Sequence, residues 1–359
     1  MGNRTIVPFG PQHPVLPEPI HLDLVLEDET VVEAIPRIGY VHRGLEKLVE
    51  KKDYQQYTYV AERICGICSF MHGMGYCMSI ESIMEVEIPE RAKFLRTVWA
   101  ELSRLHSHLL WLGLLADAFG FESLFMQSWK LREQALDIFE ETTGGRVIFS
   151  VCDIGGVRKD VSPETLGKIK KVLTSMEKEL KEITDVFLKD STVKLRTRGV
   201  GVLSKQQASD LGAVGPMARA SGLEIDLRLR GYAAYDKLSF TPAIAQEGDC
   251  YARTEVRIKE MFQAIDLMKQ CIDLMPEGDI KVKVTGNPKG EHFTRLEQPR
   301  GEVLYYAKAN GTKFLDRVRV RTPTFANIPA LLETLKNCSL ADVPILILTI
   351  DPCISCTER

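Results

Sequence analysis

Two Cys-x-x-Cys pairs dominate the chemistry available to this chain: Cys65-Gly66-Ile67-Cys68 and Cys353-Ile354-Ser355-Cys356. Two-residue spacing lets both sulfurs of a pair face one ion, and the charge of Arg63 beside the first pair favours the thiolate that a metal needs. Together the pairs make a soft four-sulfur donor set, suited to zinc, iron–sulfur or nickel. A structural zinc knuckle would account for the cysteines alone. Zinc ribbons usually close over roughly 15–20 residues, whereas these pairs sit in the first quarter of the chain and at its last residues. A site that joins such distant segments looks assembled for chemistry, with the metal inserted after the rest has folded.

The other candidates are weaker. Cys77, Cys152, Cys250, Cys271 and Cys338 follow no ligand spacing and read as small buried apolar residues. His106 and His108 are two apart, so on a helix they diverge and cannot share a metal. With 46 Lys+Arg against 49 Asp+Glu, a formal charge of −3 gives no basic surplus for nucleic acid. No apolar run reaches the length of about 18 residues needed to cross a bilayer. Residues 1–4 lead into no signal region.

The elements that must position the cysteines are mostly helical. Residues 20–35 alternate apolar and polar around Asp28-Glu29, which predicts an antiparallel hairpin. Pro89-Glu90 opens a long helix reaching Gly120. Ser162-Pro163 caps another, whose stripe of Leu166, Ile169, Leu173, Met176, Leu180, Ile183 and Phe187 predicts a core or subunit seam. A third long helix starts near Tyr251. After Pro288 come strands at 302–308 and 317–321, a short helix at 328–335, and a final apolar strand at 343–350. The expected organisation is a single domain over 1–359. It has a β-containing part (1–42), a helical middle (43–276) and an α+β end (277–359): mostly α, with long helices clasped by β-containing ends.

The segments Arg63-Ile64-Cys65-Gly66-Ile67-Cys68 with His72, and Asp351-Pro352-Cys353-Ile354-Ser355-Cys356-Thr357-Glu358-Arg359, resemble the two signature motifs of nickel–iron hydrogenase large subunits. Four further segments resemble the quinone-chamber subunit of respiratory complex I. They are Phe9-Gly10-Pro11-Gln12-His13-Pro14, Arg43-Gly44-Leu45-Glu46-Lys47-Leu48, Gly215-Pro216-Met217-Ala218-Arg219-Ala220-Ser221-Gly222 and Gly248-Asp249-Cys250-Tyr251-Ala252-Arg253. Complex I lacks the nickel cysteines; this chain has all four. The combination, with the short length, is similar to the membrane-bound, energy-converting hydrogenases.

That resemblance implies a nickel–iron centre with carbon monoxide and cyanide on the iron. Cys65 and Cys353 would be terminal nickel ligands, Cys68 and Cys356 the bridges, and Cys356 the first proton acceptor. Glu18, between Pro17 and Pro19, resembles the glutamate that relays the proton outward. Arg300, in Pro299-Arg300-Gly301, resembles the guanidinium above the open metal position. Pro323, Thr324 and Thr349 are placed like residues that shape the iron pocket or bond the cyanides. Asp117 and Asp351 are expected as carboxylates supporting Arg300. Glu46 resembles a ligand to magnesium near the C-terminus, although Arg359 replaces the usual histidine there and could pair with Glu46 directly. His72 sits where a family histidine contacts the nearest cluster of the small subunit.

The partners implied are a small iron–sulfur subunit, ferredoxin-like subunits with ferredoxin, and integral membrane subunits that translocate ions, at the cytoplasmic face of the membrane. No iron–sulfur cluster is expected in this chain. Family precursors often carry an extension past the position of Arg359, so this chain is expected to be already processed or made without one. A complex I-like subunit without hydrogenase activity is the competing reading.

Overall fold

The computed structural model describes residues 4–14 and 16–359; residues 1–3, read above for a signal, lie outside them. The chain opens with strands β1 (Arg4–Phe9), β2 (His21–Glu27) and β3 (Thr30–Arg37), antiparallel in order. The β2–β3 hairpin turns at Asp28, which takes a left-handed φ of 56°, as the alternating pattern predicts. Residues 338–339 return as β9 beside β3, so the two ends of the chain share one sheet.

The middle is helical: α1 (Tyr57–Glu62), α2 (Ser69–Ile83), α3 (Glu90–Ala118), α4 (Glu122–Thr143) and α5 (Pro163–Lys189). Short α6 (Ser191–Thr197), α7 (Lys205–Asp210) and α8 (Pro216–Ala220) lead to α9 (Cys250–Asp273). A two-residue hairpin, β4 (Cys152–Asp153) with β5 (Gly156–Val157), lies between α4 and α5. Helix α5 begins where expected, with the Ser162 hydroxyl accepting from Thr165 N–H. Its apolar stripe is buried inside this chain. The stripe therefore does not offer a partner the free face that the sequence allowed for.

After α9 come β6 (Lys289–Gln298), β7 (Gly301–Asn310) and β8 (Leu315–Arg321), an antiparallel sheet in sequence order, then α10 (Pro323–Leu335). Strand β6, unread in the sequence, is mostly exposed over its first half and so lacks an apolar signature. The expected last strand is a correction. Residues Val343–Ile350 form helix α11, followed by α12 (Ile354–Glu358). An eight-residue apolar run fits a fully buried strand or helix equally well. Here Pro344 lies in the first helical turn, and every residue from Ile345 to Ile350 is buried.

Two apolar clusters fill the interior. The larger joins α2, α3, α5, α9 and the β6–β8 sheet and contains all four motif cysteines; the smaller joins β2, β3, α10 and α11 and contains Ile354. The second cysteine pair therefore bridges the seam between them. Among the described residues no helix is long and apolar enough to cross a membrane.

Candidate metal centre

The chain folds so that its four motif sulfurs meet. Cys65 Sγ lies 3.4 Å from Cys353 Sγ, Cys68 Sγ lies 3.6 Å from Cys356 Sγ, and all four residues are at most 1% exposed. Cys65 follows α1 and Cys68 immediately precedes α2. The backbone N–H groups of Ile67 and Cys68 both point to Cys65 Sγ at 3.3 Å. Hydrogen bonds from Cys353, Cys356 and Cys68 pull the Cys65 thiol well below its ordinary pKa. Burial drives Cys68 and Cys356 up, and Cys353 also goes up, against its bond to Cys356, under the Cys65 charge. Close, buried sulfurs thus oppose one another's ionisation, and a cation among them would favour all four thiolates. Four converging soft donors sealed from water fit a thiolate-bound metal group.

The second pair is held by side chains from all over the chain. The Glu18 carboxylate accepts from Ile354 N–H. Thr324 Oγ1 accepts from Cys353 N–H at 3.0 Å, and the Thr322 hydroxyl donates to Cys356 O at 3.0 Å. Arg43 donates to Ile64 O and Ser355 O, both at 2.9 Å, and so ties the two motifs together. Pro323 starts α10 at its first turn, placing Thr322 and Thr324 on either side.

Arg300 is 3% exposed and donates to Asp351 O at 2.8 Å, Asp351 Oδ1 at 2.9 Å and Ser107 Oγ at 3.3 Å. Burial opposes its charge, yet Asp351 and the sulfurs of Cys353, Cys68 and Cys65 keep it a fixed cation. Its backbone is set by contact between two glycines. A Cβ on Gly215 would come within 2.4 Å of Gly301 Cα and 2.5 Å of Arg300 O, and both glycines have positive φ. Glu18, Arg300, Asp351, Trp111 and Trp129 line a cavity of about 380 Å³. The Glu18 residue is half-buried, but burial of its carboxyl raises the pKa to about 7 against the nearby Arg300 charge. Asp351 Oδ2 and Trp129 Nε1 are buried without a partner among the described residues. No motif cysteine lines the cavity at Glu18, but Ile67 and Pro352, their chain neighbours, do; a larger cavity of about 430 Å³ lies elsewhere, beside Met74, Met78 and Arg96.

Other expected residues are placed differently. Asp117 is exposed near the end of α3, and the carboxylate that Arg300 actually holds is that of Asp351. Asp117 follows directly on the last buried residue of α3, Ala116, and points off its apolar face. Thr349 is fully buried on α11, where its hydroxyl donates to Leu346 O and meets Arg253 and Cys250 rather than any of the four motif cysteines. His72 is 0% exposed, with Nε2 3.4 Å from Cys356 Sγ and Nδ1 2.6 Å from the Tyr305 hydroxyl. It cannot touch a neighbouring subunit; it touches the sulfur, and burial pushes its pKa down to about 4.

Glu46 accepts from Arg319 at 2.8 Å, Val320 N–H at 2.9 Å and Arg359 at 2.9 Å. Against the effect of burial, these contacts hold the carboxyl below its usual range. Two guanidiniums on one carboxylate do not fit a divalent ion, so the magnesium expectation fails on the donor set. Ser107 belongs to no motif and has no distinguishing spacing. Arg43 and Thr322 adjoin quoted motifs and could have been inferred from them.

Residues 43–117 match the family model described as nickel-dependent hydrogenase, and residues 118–287 and 282–359 match that of the respiratory-chain NADH dehydrogenase 49 kDa subunit. The chain is 38% identical to the membrane-bound hydrogenase subunit alpha of Pyrococcus furiosus, over 98% of this chain and 87% of that one. It is also 38% identical to the carbon monoxide-induced hydrogenase of Rhodospirillum rubrum, over 98% of this chain and 99% of that protein. A solved structure titled as the membrane-bound sulfane sulfur reductase, an archaeal respiratory membrane complex, contains a chain that superposes with a TM-score of 0.95. That chain is 30% identical, with 99% of each chain covered.

Proposed function

The chain belongs to the nickel–iron hydrogenase large-subunit family, in its membrane-bound, energy-converting group related to complex I, and from that premise we propose that it is a hydrogenase catalytic subunit. The reaction proposed is reversible heterolytic cleavage of H2. Electrons would pass to ferredoxin through a partner small iron–sulfur subunit and ferredoxin-like subunits, and integral membrane subunits would couple the reaction to ion translocation. The chain would act as a peripheral subunit at the cytoplasmic face of the membrane.

The observation that carries this reading is the convergence of Cys65, Cys68, Cys353 and Cys356 in a sealed pocket. These residues would hold a nickel–iron group with carbon monoxide and cyanide on its iron, which would supply a soft, redox-active centre for splitting H2. Cys356 would hold the released proton at Sγ, where the His72 ring lies 3.4 Å away. Glu18 would carry it outward at its carboxyl, whose pKa of about 7 suits both taking and giving a proton at neutral pH. Arg300 stays charged throughout and orients the open end of the pocket, its fork fixed by Asp351 and Ser107. Thr324 and Thr322 hold the backbone of the second pair in place.

A second reading is a complex I-like oxidoreductase subunit without hydrogenase activity. The similarity to a chain of a sulfane sulfur reductase complex supports it, as does a cavity of about 380 Å³, far larger than H2 needs. Metal analysis of the purified complex with infrared spectroscopy separates the readings. Nickel with iron, and bands of bound carbon monoxide and cyanide, are expected. Iron without nickel would favour the second reading, and zinc alone would overturn both.

A further inference from the structure

His72 stands between the two cysteine motifs, and Tyr305 holds its ring. His72 follows Cys68 by one turn of α2, its backbone N–H donating to Cys68 O at 3.2 Å. The ring reaches across to α12, where Nε2 lies 3.4 Å from Cys356 Sγ. On its other side Nδ1 lies 2.6 Å from the Tyr305 hydroxyl. Tyr305 comes from β7, where Val303, Tyr305 and Ala307 alternate inward. Its ring lies against α2 at Gly75, where a Cβ would come within 3.0 Å of Tyr305 Cδ2 and Cε2. The two rings meet edge to face with centroids 6.0 Å apart. Both residues are 0% exposed, and neither lines either cavity described above.

The hydrogens available leave one arrangement for these contacts. The Tyr305 phenol keeps its hydrogen, because burial holds it well above its ordinary pKa. Among the described residues, His72 Nδ1 is the only partner of that hydroxyl. If Nδ1 bore a hydrogen, it would donate to the phenol oxygen, and the phenol O–H would point at nothing in a sealed interior. That holds for the neutral ring with its hydrogen on Nδ1 and for the doubly protonated ring alike, and a buried donor without an acceptor is costly. With Nδ1 bare, the phenol donates to it, and the one ring hydrogen sits on Nε2. Nε2–H then donates to Cys356 Sγ, and every polar group in the row has a partner.

We propose that Tyr305 is a positioning residue for the cysteine centre: its hydroxyl fixes His72 with the hydrogen on Nε2, which commits the ring to giving Cys356 a hydrogen bond and not to taking a proton from it. A donor held on a sulfur draws electron density from whatever that sulfur binds. A bond accepted at Nδ1 also polarises the ring and strengthens the donor at Nε2. With no bare nitrogen facing the sulfur, the His72 side is closed to the proton, which leaves Glu18 as its outward carrier. Arg300 directly precedes β7 and Tyr305 lies within it, so one strand delivers a fixed cation to Asp351 and a fixed hydroxyl to His72. No bond forms or breaks in this role. The effect on a metal group rests on the function proposed above; the tautomer stands without it.

Nitrogen-15 NMR of the intact complex, labelled at histidine and held in a diamagnetic state, reads the tautomer directly. The His72 signals are those absent from His72→Leu. A protonated Nε2 and a bare, hydrogen-bonded Nδ1 are expected, and the Nδ1 signal should move when Tyr305→Phe removes its donor. A bare Nε2, or hydrogens on both nitrogens, in the native complex would overturn the proposal.

Infrared bands of the carbon monoxide and cyanide ligands, at matched nickel content, read the effect on the centre. Tyr305→Phe removes the hydroxyl and keeps the ring against Gly75. The bands should move to lower frequency and the midpoint potential to more negative values, because a weaker donor on the sulfur leaves more electron density on the iron. His72→Leu should shift both in the same direction and further. In the double variant Tyr305→Phe should add nothing, since it acts through His72. A loss of packing alone would leave the bands of Tyr305→Phe unchanged. Unchanged bands, or a Tyr305→Phe shift that survives in the His72→Leu background, would overturn the role of Tyr305 while leaving the functional reading intact. If the native complex holds no nickel and shows no such bands, the functional reading falls, and the nitrogen-15 pattern alone decides whether Tyr305 fixes the ring.

Discussion

The two cysteine pairs are chemically identical and structurally opposite. Cys65 and Cys68 are fixed by what surrounds them in sequence: α1 ends before them, α2 begins after them, and the backbone N–H groups of Ile67 and Cys68 close on Cys65 Sγ. Cys353 and Cys356 rest on a five-residue helix that could not persist alone. Glu18, Arg43, Arg300, Thr322 and Thr324 pin it from distant parts of the chain, and Glu46 fastens Arg359 after it. Both pairs lie in the same core, but the first is held by its own segment and the second by side chains from distant ones.

Substitutions should break this contrast in order of size. Cys353→Ser replaces a soft donor with a hard one and should abolish nickel retention and turnover, as should Cys65→Ser; normal activity in either would remove the metal assignment. Glu18→Gln should lower turnover by about 10²–10⁴-fold while the metals stay bound, measured as H2-dependent reduction at matched nickel content.

The same carboxyl sets a pH dependence. Its folded pKa of about 7 lies above the ordinary 4.5, so the native state binds its proton more tightly. Stability is therefore greatest below 4.5 as far as Glu18 is concerned, and falls as pH rises from 4.5 to about 7. Melting curves of native protein and Glu18→Gln should converge at low pH and separate towards neutrality, with the variant the more stable.

Arg300→Lys exchanges a fork for a point charge and cannot hold Asp351 and Ser107 together. Misplacement of that charge by about an ångström should cost on the order of 10²-fold in turnover, with nickel retained. Thr324→Val leaves Cys353 N–H unsatisfied at a cost of about 1–3 kcal/mol. That loosens the second pair only, so thiol reagents should reach Cys353 sooner than Cys65 in the metal-free chain. Asp117→Asn, on the surface, should change melting by less than about 0.5 kcal/mol and leave turnover unaltered.

The same division explains what could be read in advance. The hairpin at Asp28, the capped start of α5 and the four cysteines are local in sequence, where spacing carries the information. Helix α11 reads equally well as a strand, because an almost wholly apolar run has no period to betray its form. Asp117 and Thr349 carried the right chemistry on the wrong face, and face depends on tertiary packing. His72 was identified by position, but its role turned on burial: only the fold shows that its ring meets Cys356 and Tyr305 rather than a partner. The buried ion pairs of Glu101, Asp226, Glu260 and Glu297 with Arg104, Arg219 and Arg228 carry no such signal, since the four acids come from separate segments and none has a motif of its own.

The touching backbones of Gly215 and Gly301 have a consequence for how such a protein tolerates change. Arg300 owes its position to missing atoms: a single methyl at either glycine would collide with the opposite backbone at under 3 Å and lever the guanidinium off Asp351. In a survey of substitutions these two inert residues will look catalytic, refusing even alanine. A chain adapting this pocket to another substrate is therefore free to alter the cavity wall long before it can alter that hinge pin.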